Sequence, residues 1–538
     1  MTDGPPTTGR TTVRQAVLDL LRALDMTTVF GNPGSTELPF LDRWPEDFRY
    51  ILGLQEASVV GMADGYARAT GRPAFVNLHS AAGVGHALGN LFTAYRNQAP
   101  LVVTAGQQAR ALLPNLPFLG ATEAASFPKP YVKWSIEPAR AEDVPAAIAH
   151  AHRIAAQRPC GPTFVSIPSD DWSAACWPVA PRAVSRDTAP DPALIARAAR
   201  AVAAAACPVI VSGPEADAEG AGPALLALAE RMGAPVWTSP FSANLSFPED
   251  HPLHAGHLKA APQAVSDALI AHDLVLVVGA PAFTFHVAGD CALFRAGIPL
   301  IQLTTDPEAA ASAPIGDAIL GSLRLGLPLL TEALPPTGRT PPPPRRPAPP
   351  PEPATPIPPA YALHRLHAAM PDDAILVEEA PSHRPAMHAQ MPVRDWGGFY
   401  TMASGGLGYG LPAAVGVALA HPGRRVVCLI GDGSFLYSPQ ALWTAVQERL
   451  PLTVVVMNNA GYGAMRSFSQ VLQVRGAPGI DLPGLDFVAT ARGMGCPGVA
   501  VTDPAALDDA LHAALAAEGP MLVEVAVDAG IPALYGKP

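Results

Sequence analysis

The sequence runs to 538 residues, 49% of them hydrophobic and 15% charged, with a net charge of −11. At roughly 150 residues per domain this implies about three domains with sizeable cores, and the negative balance argues against nucleic acid as a main partner. No run approaches the ~18–20 apolar residues of a membrane span, and the six cysteines (160, 176, 207, 291, 428, 496) show neither paired metal spacing nor the density of a disulfide framework.

The first ten residues, MTDGPPTTGR, carry no apolar signal region, so the expected home is soluble and reducing, hence cytoplasmic. In chain order, TTVF (27–30), AFVNLH (74–79) and PLVVTAG (100–106) predict buried strands. Residues 55–69 and 83–96 predict the helices between them. PVIVSG (208–213), PVWTSP (235–240), LVLVVGA (274–280) and PLIQLTT (299–305) repeat the scheme, and a third set runs from AILVEE (374–379) to MLVEVAV (521–527). Strands alternating with helices indicate parallel sheets covered on both faces. The fold class is therefore α/β, three doubly wound parallel-sheet domains. The proline-dense stretch 335–359 predicts an extended, semi-rigid connector, since proline fixes φ and removes an amide donor. The division is 1–180, 181–334, a linker 335–359, and 360–538.

Gly431-Asp432-Gly433-Ser434 follows one apolar run and Asn458-Asn459 ends another. A parallel sheet brings both strand ends to one edge, where open α/β folds place their ligands. A carboxylate, an amide oxygen and backbone carbonyls are hard donors suited to a Mg²⁺ that also holds a diphosphate, and glycines let the main chain approach phosphate oxygens. Gly-Asp-Gly alone is an ordinary turn; the pairing with the Asn block is specific. It resembles the thiamine diphosphate (ThDP) signature, which implies Asp432, Asn459 and the Gly461 carbonyl as metal ligands.

Glu56, at the junction of a strand and an apolar helix, offers a half-buried carboxyl of the kind that pushes an aminopyrimidine toward its imino form. Alone it would be a helix-dipole charge. Ser35 lies on a glycine–proline turn after the strand 27–30, His79 ends the strand 74–79, and His286 follows the strand 274–280. Histidine is the natural group for moving protons near neutral pH.

GNPGSTELPFL, FRYILGLQEA, PAFVNLHSAAGVGHALGNL, PLVVTAGQQAR, YVKWSIEPA, LVLVVGAPAF, SGGLGYGLPAAVGV, GDGS and PGLDFVATARGMG together resemble the benzoylformate decarboxylases, ThDP-dependent 2-oxo acid decarboxylases, over essentially the whole chain. The resemblance implies a pyrimidine-binding, a central and a diphosphate-binding domain. It implies an active site shared between two chains, so a homodimer at least and a homotetramer by family habit. It implies ThDP with Mg²⁺ (or Ca²⁺), and decarboxylation of an aromatic or bulky 2-oxo acid through an ylid and an enamine, in aromatic compound catabolism. Glu56 would be the activating acid, Ser35 the anchor of the substrate carboxylate, and His79 and His286 the proton-transfer pair. Leu407 would lie under the bent cofactor, with the Gly405 carbonyl on the aminopyrimidine. Ser382, Gly431, Asp432, Gly433, Ser434, Asn459 and Tyr462 would complete the cofactor contacts. The substrate pocket would comprise Pro33, Ser35, Phe118, Leu119, Thr401, Ala464, Met465 and Phe468.

Four departures bear on substrate: Pro381 in place of a diphosphate-contacting threonine, Thr401 in place of a phenyl-contacting phenylalanine, and Met465 and Ser467 in place of leucine and tryptophan. The neighbouring pyruvate decarboxylases use adjacent histidines, and this sequence has no His-His pair. The rival readings are a ThDP carboligase of the acetolactate synthase type and a non-catalytic ThDP-binding protein. A nucleotide-binding role for the middle segment lacks a G-x-G-x-x-G turn.

Overall fold

Runs such as Ala74–Leu78, Pro208–Ser212 and Leu274–Val278 are apolar at nearly every position because they are buried on both faces of a parallel sheet. The computed structural model describes residues 9–532 and 534; most of the N-terminal stretch read above for a leader lies outside them. Three six-stranded sheets form, every strand parallel to its neighbours. The chain is thus three doubly wound α/β domains, as the alternation predicted. No helix among the described residues is long and apolar enough to cross a membrane.

The first sheet runs Arg49–Leu52, Thr28–Gly31, Ala74–Leu78, Leu101–Gln107, Thr163–Pro168, Ser135–Ile136. The third runs Phe399–Tyr400, Ile375–Glu379, Val426–Gly431, Leu452–Asn458, Met521–Ala526, Gly498–Val501. Numbered within each domain, both follow the order 2-1-3-4-6-5, whereas the central sheet is 3-2-1-4-5-6. An open sheet of this kind opens a crevice at the carboxyl ends of the two strands where the order reverses. In the first domain those strands are Thr28–Gly31 and Ala74–Leu78, which lead into Ser35 and His79. In the third they are Ile375–Glu379 and Val426–Gly431, which lead into Ser382 and Asp432.

The first and third domains share one apolar core. Its centre is the contact between the helices Glu56–Thr70 and Gly410–Ala420. The second helix is apolar all round, so it is buried on every side. The two backbones touch where side chains are missing: a Cβ on Gly65 would lie 2.2 Å from the Ala413 carbonyl oxygen, and one on Gly416 1.9 Å from that of Met62. Gly416→Ala is therefore expected to destabilise the protein by about 1–3 kcal/mol, the usual cost of overpacking, and a denaturant midpoint with unchanged slope checks it.

Arg68, from the first of these helices, joins all three domains. It donates to the Thr401 carbonyl at 2.9 Å and to Asn244 Oδ1 at 2.7 Å. Residues 335–354 form no helix or strand. They are tied down by Arg339, which donates to the Met232 carbonyl at 3.1 Å, and by a bond from Gln390 to the Pro349 carbonyl at 3.3 Å.

Candidate active site

The strands Val426–Gly431 and Leu452–Asn458 pair in register, Gly431 opposite Met457, so Asp432 and Asn459 leave the sheet side by side. Both are buried. Asp432 accepts the Gly433 amide on Oδ1 at 2.7 Å and the Gly461 amide on Oδ2 at 2.8 Å. Burial raises its carboxyl above the ordinary 3.8, while the two amide bonds and Arg466 pull the other way. The Nδ2 donor of Asn459 is buried with no hydrogen-bond partner. A desolvated carboxylate beside an orphaned amide donor fits a divalent cation carrying a diphosphate: oxygens go to the cation and the spare N–H to a phosphate oxygen. Gly433 has no side chain because a Cβ there would sit 2.3 Å from the Tyr462 ring.

Next to this pair, Ser382 Oγ accepts the Ala464 amide at 3.0 Å. The strand end Glu378-Glu379 carries two fully buried carboxylates that the apolar run concealed. Glu379 accepts the Gly408 amide at 2.7 Å and the Gly410 amide, and so sets the loop that holds Gly405 and Leu407. Burial pushes its carboxyl up to about 7 against those two bonds.

A cavity of about 530 Å³ opens over these groups. Of the expected residues it is lined by His286, Ser382, Gly405, Leu407, Gly431, Asp432, Gly433, Ser434, Asn459, Gly461, Tyr462, Ala464, Met465 and Phe468. His286 lies edge-on between Phe241 and Phe468, with ring centroids 5.8 and 4.6 Å away, and partial burial lowers its imidazole below the ordinary 6.5.

Thr401, expected in the substrate pocket, does not line this cavity. It is buried, donates to Glu378 Oε2 at 2.8 Å and accepts from Arg384 Nη2 at 3.0 Å. Its side chain therefore braces the Glu378–Arg384 ion pair (2.7 Å). The neighbouring Met402 lines the cavity, and so do Phe399 and His383.

Pro33, Ser35, Glu56, His79, Phe118 and Leu119 form a second set, away from this cavity. Glu56 opens its helix, with Gln55 as the cap accepting the Ser58 amide at 3.1 Å. Its side chain is 12% exposed, and its Oε2 lies 3.1 Å from His86 Nδ1. His79 Nδ1 is 2.8 Å from Glu37 Oε2. Glu37 is itself buried and collects the Gly34 amide (2.8 Å), the Gly106 amide (2.9 Å) and the Thr36 hydroxyl (2.6 Å). A carboxylate so fixed takes the Nδ1–H of the His79 ring and leaves Nε2 as its basic nitrogen. Ser80 sits at φ +46° and bonds the Leu119 carbonyl, which ties the loop carrying Phe118 to His79. Ser35 is exposed, and Phe118 is 87% exposed.

Glu37, His86 and Glu379 escaped the sequence reading. The signal for Glu37 lay in the turn motif itself, where an acid stands among glycine amides at a strand end.

Three α/β domains, two of like topology with polar groups at their switch points and one of these built for a cation and a diphosphate, define a class: enzymes that hold a diphosphate cofactor through a metal. The comparisons make this specific. Residues 11–125 match the thiamine pyrophosphate enzyme N-terminal TPP binding domain, 195–330 its central domain, and 382–525 its C-terminal TPP binding domain. The chain belongs to the thiamine pyrophosphate enzyme family. It is 46% identical to benzoylformate decarboxylase of Pseudomonas aeruginosa, over 96% of this chain and 98% of that one. The crystal structure of benzoylformate decarboxylase from Polynucleobacter necessarius superposes with a TM-score of 0.94 at 41% identity, covering 97% of this chain and 99% of that one. The ThDP-dependent 4-hydroxybenzoylformate decarboxylase of Rhodococcus jostii RHA1 gives 0.92 at 42%, covering 96% and 99%. The resemblance read from the motifs is borne out along nearly the whole chain, and so is the expected cofactor, thiamine diphosphate.

Proposed function

We propose that the protein is a ThDP-dependent decarboxylase that converts an aromatic or bulky 2-oxo acid, benzoylformate first among them, to its aldehyde and CO₂. The observation that carries this reading is the reciprocal incompleteness of the two residue sets. One holds a cation-and-diphosphate cradle with a histidine, and the other an acid, a hydroxyl and a second histidine that do not line that cradle. Two copies placed face to face would complete both, so we propose a homodimer at least, with a homotetramer as the full assembly.

In this reading Asp432, Asn459 and the Gly461 carbonyl hold the cation, which we take to be Mg²⁺, with Ca²⁺ the other ion of matching ligand chemistry. Ser382, Gly431, Gly433, Ser434 and Tyr462 surround the diphosphate, and Gly405 and Leu407 position the ring system. Bound there, ThDP supplies the electron sink that lets the carboxylate leave as CO₂. Glu56 holds and returns a proton at the aminopyrimidine, with His86 orienting its carboxyl. Ser35 donates its hydroxyl to the substrate carboxylate. His79 moves a proton through Nε2, its ring fixed by Glu37. His286, whose imidazole partial burial shifts below its ordinary range, serves the second transfer. Leu407, Met465 and Phe468, joined by Phe118 and Leu119 beside Pro33 on the partner copy, give the substrate an apolar wall that suits an aryl group.

We place the domain limits at 180, 334 and 359, the protein in the cytoplasm, and its role in aromatic compound catabolism. Release of aldehyde and CO₂ from benzoylformate, beside branched and aromatic 2-oxo acids and with or without ThDP and Mg²⁺, tests the reading. Cofactor-dependent benzaldehyde release supports it; acetolactate-type ligation products in place of aldehyde would sink it. Glu37→Gln is expected to lower kcat by about 10–100-fold with KM little changed, because an amide no longer fixes the His79 ring; steady-state kinetics check the split.

A further inference from the structure

Away from the cofactor cradle, the same cavity runs to the junction of the central and third domains and ends on Glu249, His257 and His388. These come from three separate segments. Glu249 lies in the loop before the edge strand His254–His257 of the central sheet, His257 ends that strand, and His388 is on the helix Arg384–Gln390 of the third domain. Glu249 Oε1 lies 2.8 Å from His388 Nδ1 and 3.3 Å from His257 Nε2. His388 Nδ1 hydrogen-bonds that oxygen, whereas His257 Nε2 lies buried beside it with no hydrogen-bond partner, and the two rings lie against each other with centroids 3.9 Å apart. The carboxylate side chain is only 3% exposed, the imidazoles 26% and 13%. Its backbone and Oε2 are locked to Val393, through a 2.9 Å bond from the Glu249 amide to the Val393 carbonyl and a 3.2 Å bond from the Val393 amide back to Oε2. His254 braces the same loop from behind, its Nδ1 3.2 Å from the Glu249 carbonyl.

We propose that Glu249, His257 and His388 form a second metal site, for a first-row divalent ion of the zinc class, that clamps the central domain to the third. One ligand atom from each residue lies within 4.8 Å of the others, close enough that small side-chain movements bring all three to about 2.0–2.2 Å from one ion. Two imidazoles with one carboxylate select Zn²⁺, Co²⁺ or Ni²⁺ and not Mg²⁺ or Ca²⁺, whereas the Asp432 set offers oxygen alone. The two sites therefore differ in the metal they take. An ion here replaces the two contacts to Glu249 Oε1 and releases any proton held between them. Its remaining position opens to the cavity, where Lys259 and Arg345 also stand. The clamp acts on the helix that follows Ser382, so it steadies one wall of the cofactor cradle.

The test uses the full chain, loaded with ThDP and Mg²⁺, stripped of transition metals, and titrated with Co²⁺ and separately with Zn²⁺. The expected result is one additional equivalent per chain, a visible Co²⁺ ligand-field band and a rise in Tm with Zn²⁺. His388→Gln and His257→Gln abolish all three, while Asp432→Ala retains the Co²⁺ band. Absence of added metal at micromolar Co²⁺ or Zn²⁺ overturns the site and leaves a buried ion-pair cluster in its place. A band that survives both histidine variants, or one lost in Asp432→Ala, overturns it as well.

Discussion

Glu56→Gln is expected to lower kcat by about 10²–10⁴-fold, the range of a positioned acid–base group, while cofactor and substrate still bind. The substitution keeps the shape of the side chain and its place at the start of the helix Glu56–Thr70. It removes only the capacity to give and take a proton. The Glu56 side chain is mostly sheltered, so water is a poor substitute. The decisive readout is the rate at which the C2 proton of bound ThDP exchanges with deuterium. Slowed exchange with an unchanged cofactor Kd places the loss at Glu56's proton. Normal exchange with a low kcat would remove Glu56 from that role and shift attention to His79.

How much of this was legible in the sequence follows from where each residue sits. Asp432 and Asn459 could be found because parallel strands end at one edge, so two short motifs far apart in sequence are neighbours in space. Ser35 and His79 were legible for the same reason in the first domain. Thr401 was not: it follows a two-residue edge strand, where one position decides whether a side chain faces the cavity or the Glu378–Arg384 pair. Glu378 and Glu379 lie inside an otherwise apolar strand, and nothing in the pattern tells a buried carboxylate with amide partners from a strand-end charge. Glu249, His257 and His388 belong to segments with no common periodicity, so only the packing of two domains brings them together. The separation of the two residue sets is likewise a fact of tertiary structure. The motifs name the residues but do not say which face one another within a single chain.

That separation leads to a second large effect. Asp432→Ala is expected to abolish activity, because the cation loses its carboxylate and with it the hold on the diphosphate. Glu56→Gln removes a different set. If each working site draws Glu56 from one copy and Asp432 from the other, the two inactive chains can rescue each other. In a mixed dimer the copy carrying Glu56→Gln still offers Asp432, and the copy carrying Asp432→Ala still offers Glu56, so one of the two sites is intact. With random pairing about half the chains fall in mixed dimers, and activity is expected to return to about a quarter of the wild-type level. Co-expression with two different tags, followed by sequential purification of the mixed species, gives the measurement. Recovery would require the site to lie between copies. No recovery in an isolated mixed dimer would mean that a single chain closes its own site, for which Glu56 would have to swing to the cavity over Asp432. The helix packing at Gly65 and Gly416 opposes such a swing, since it fixes the Glu56 helix against the third domain with no room for a single methyl group.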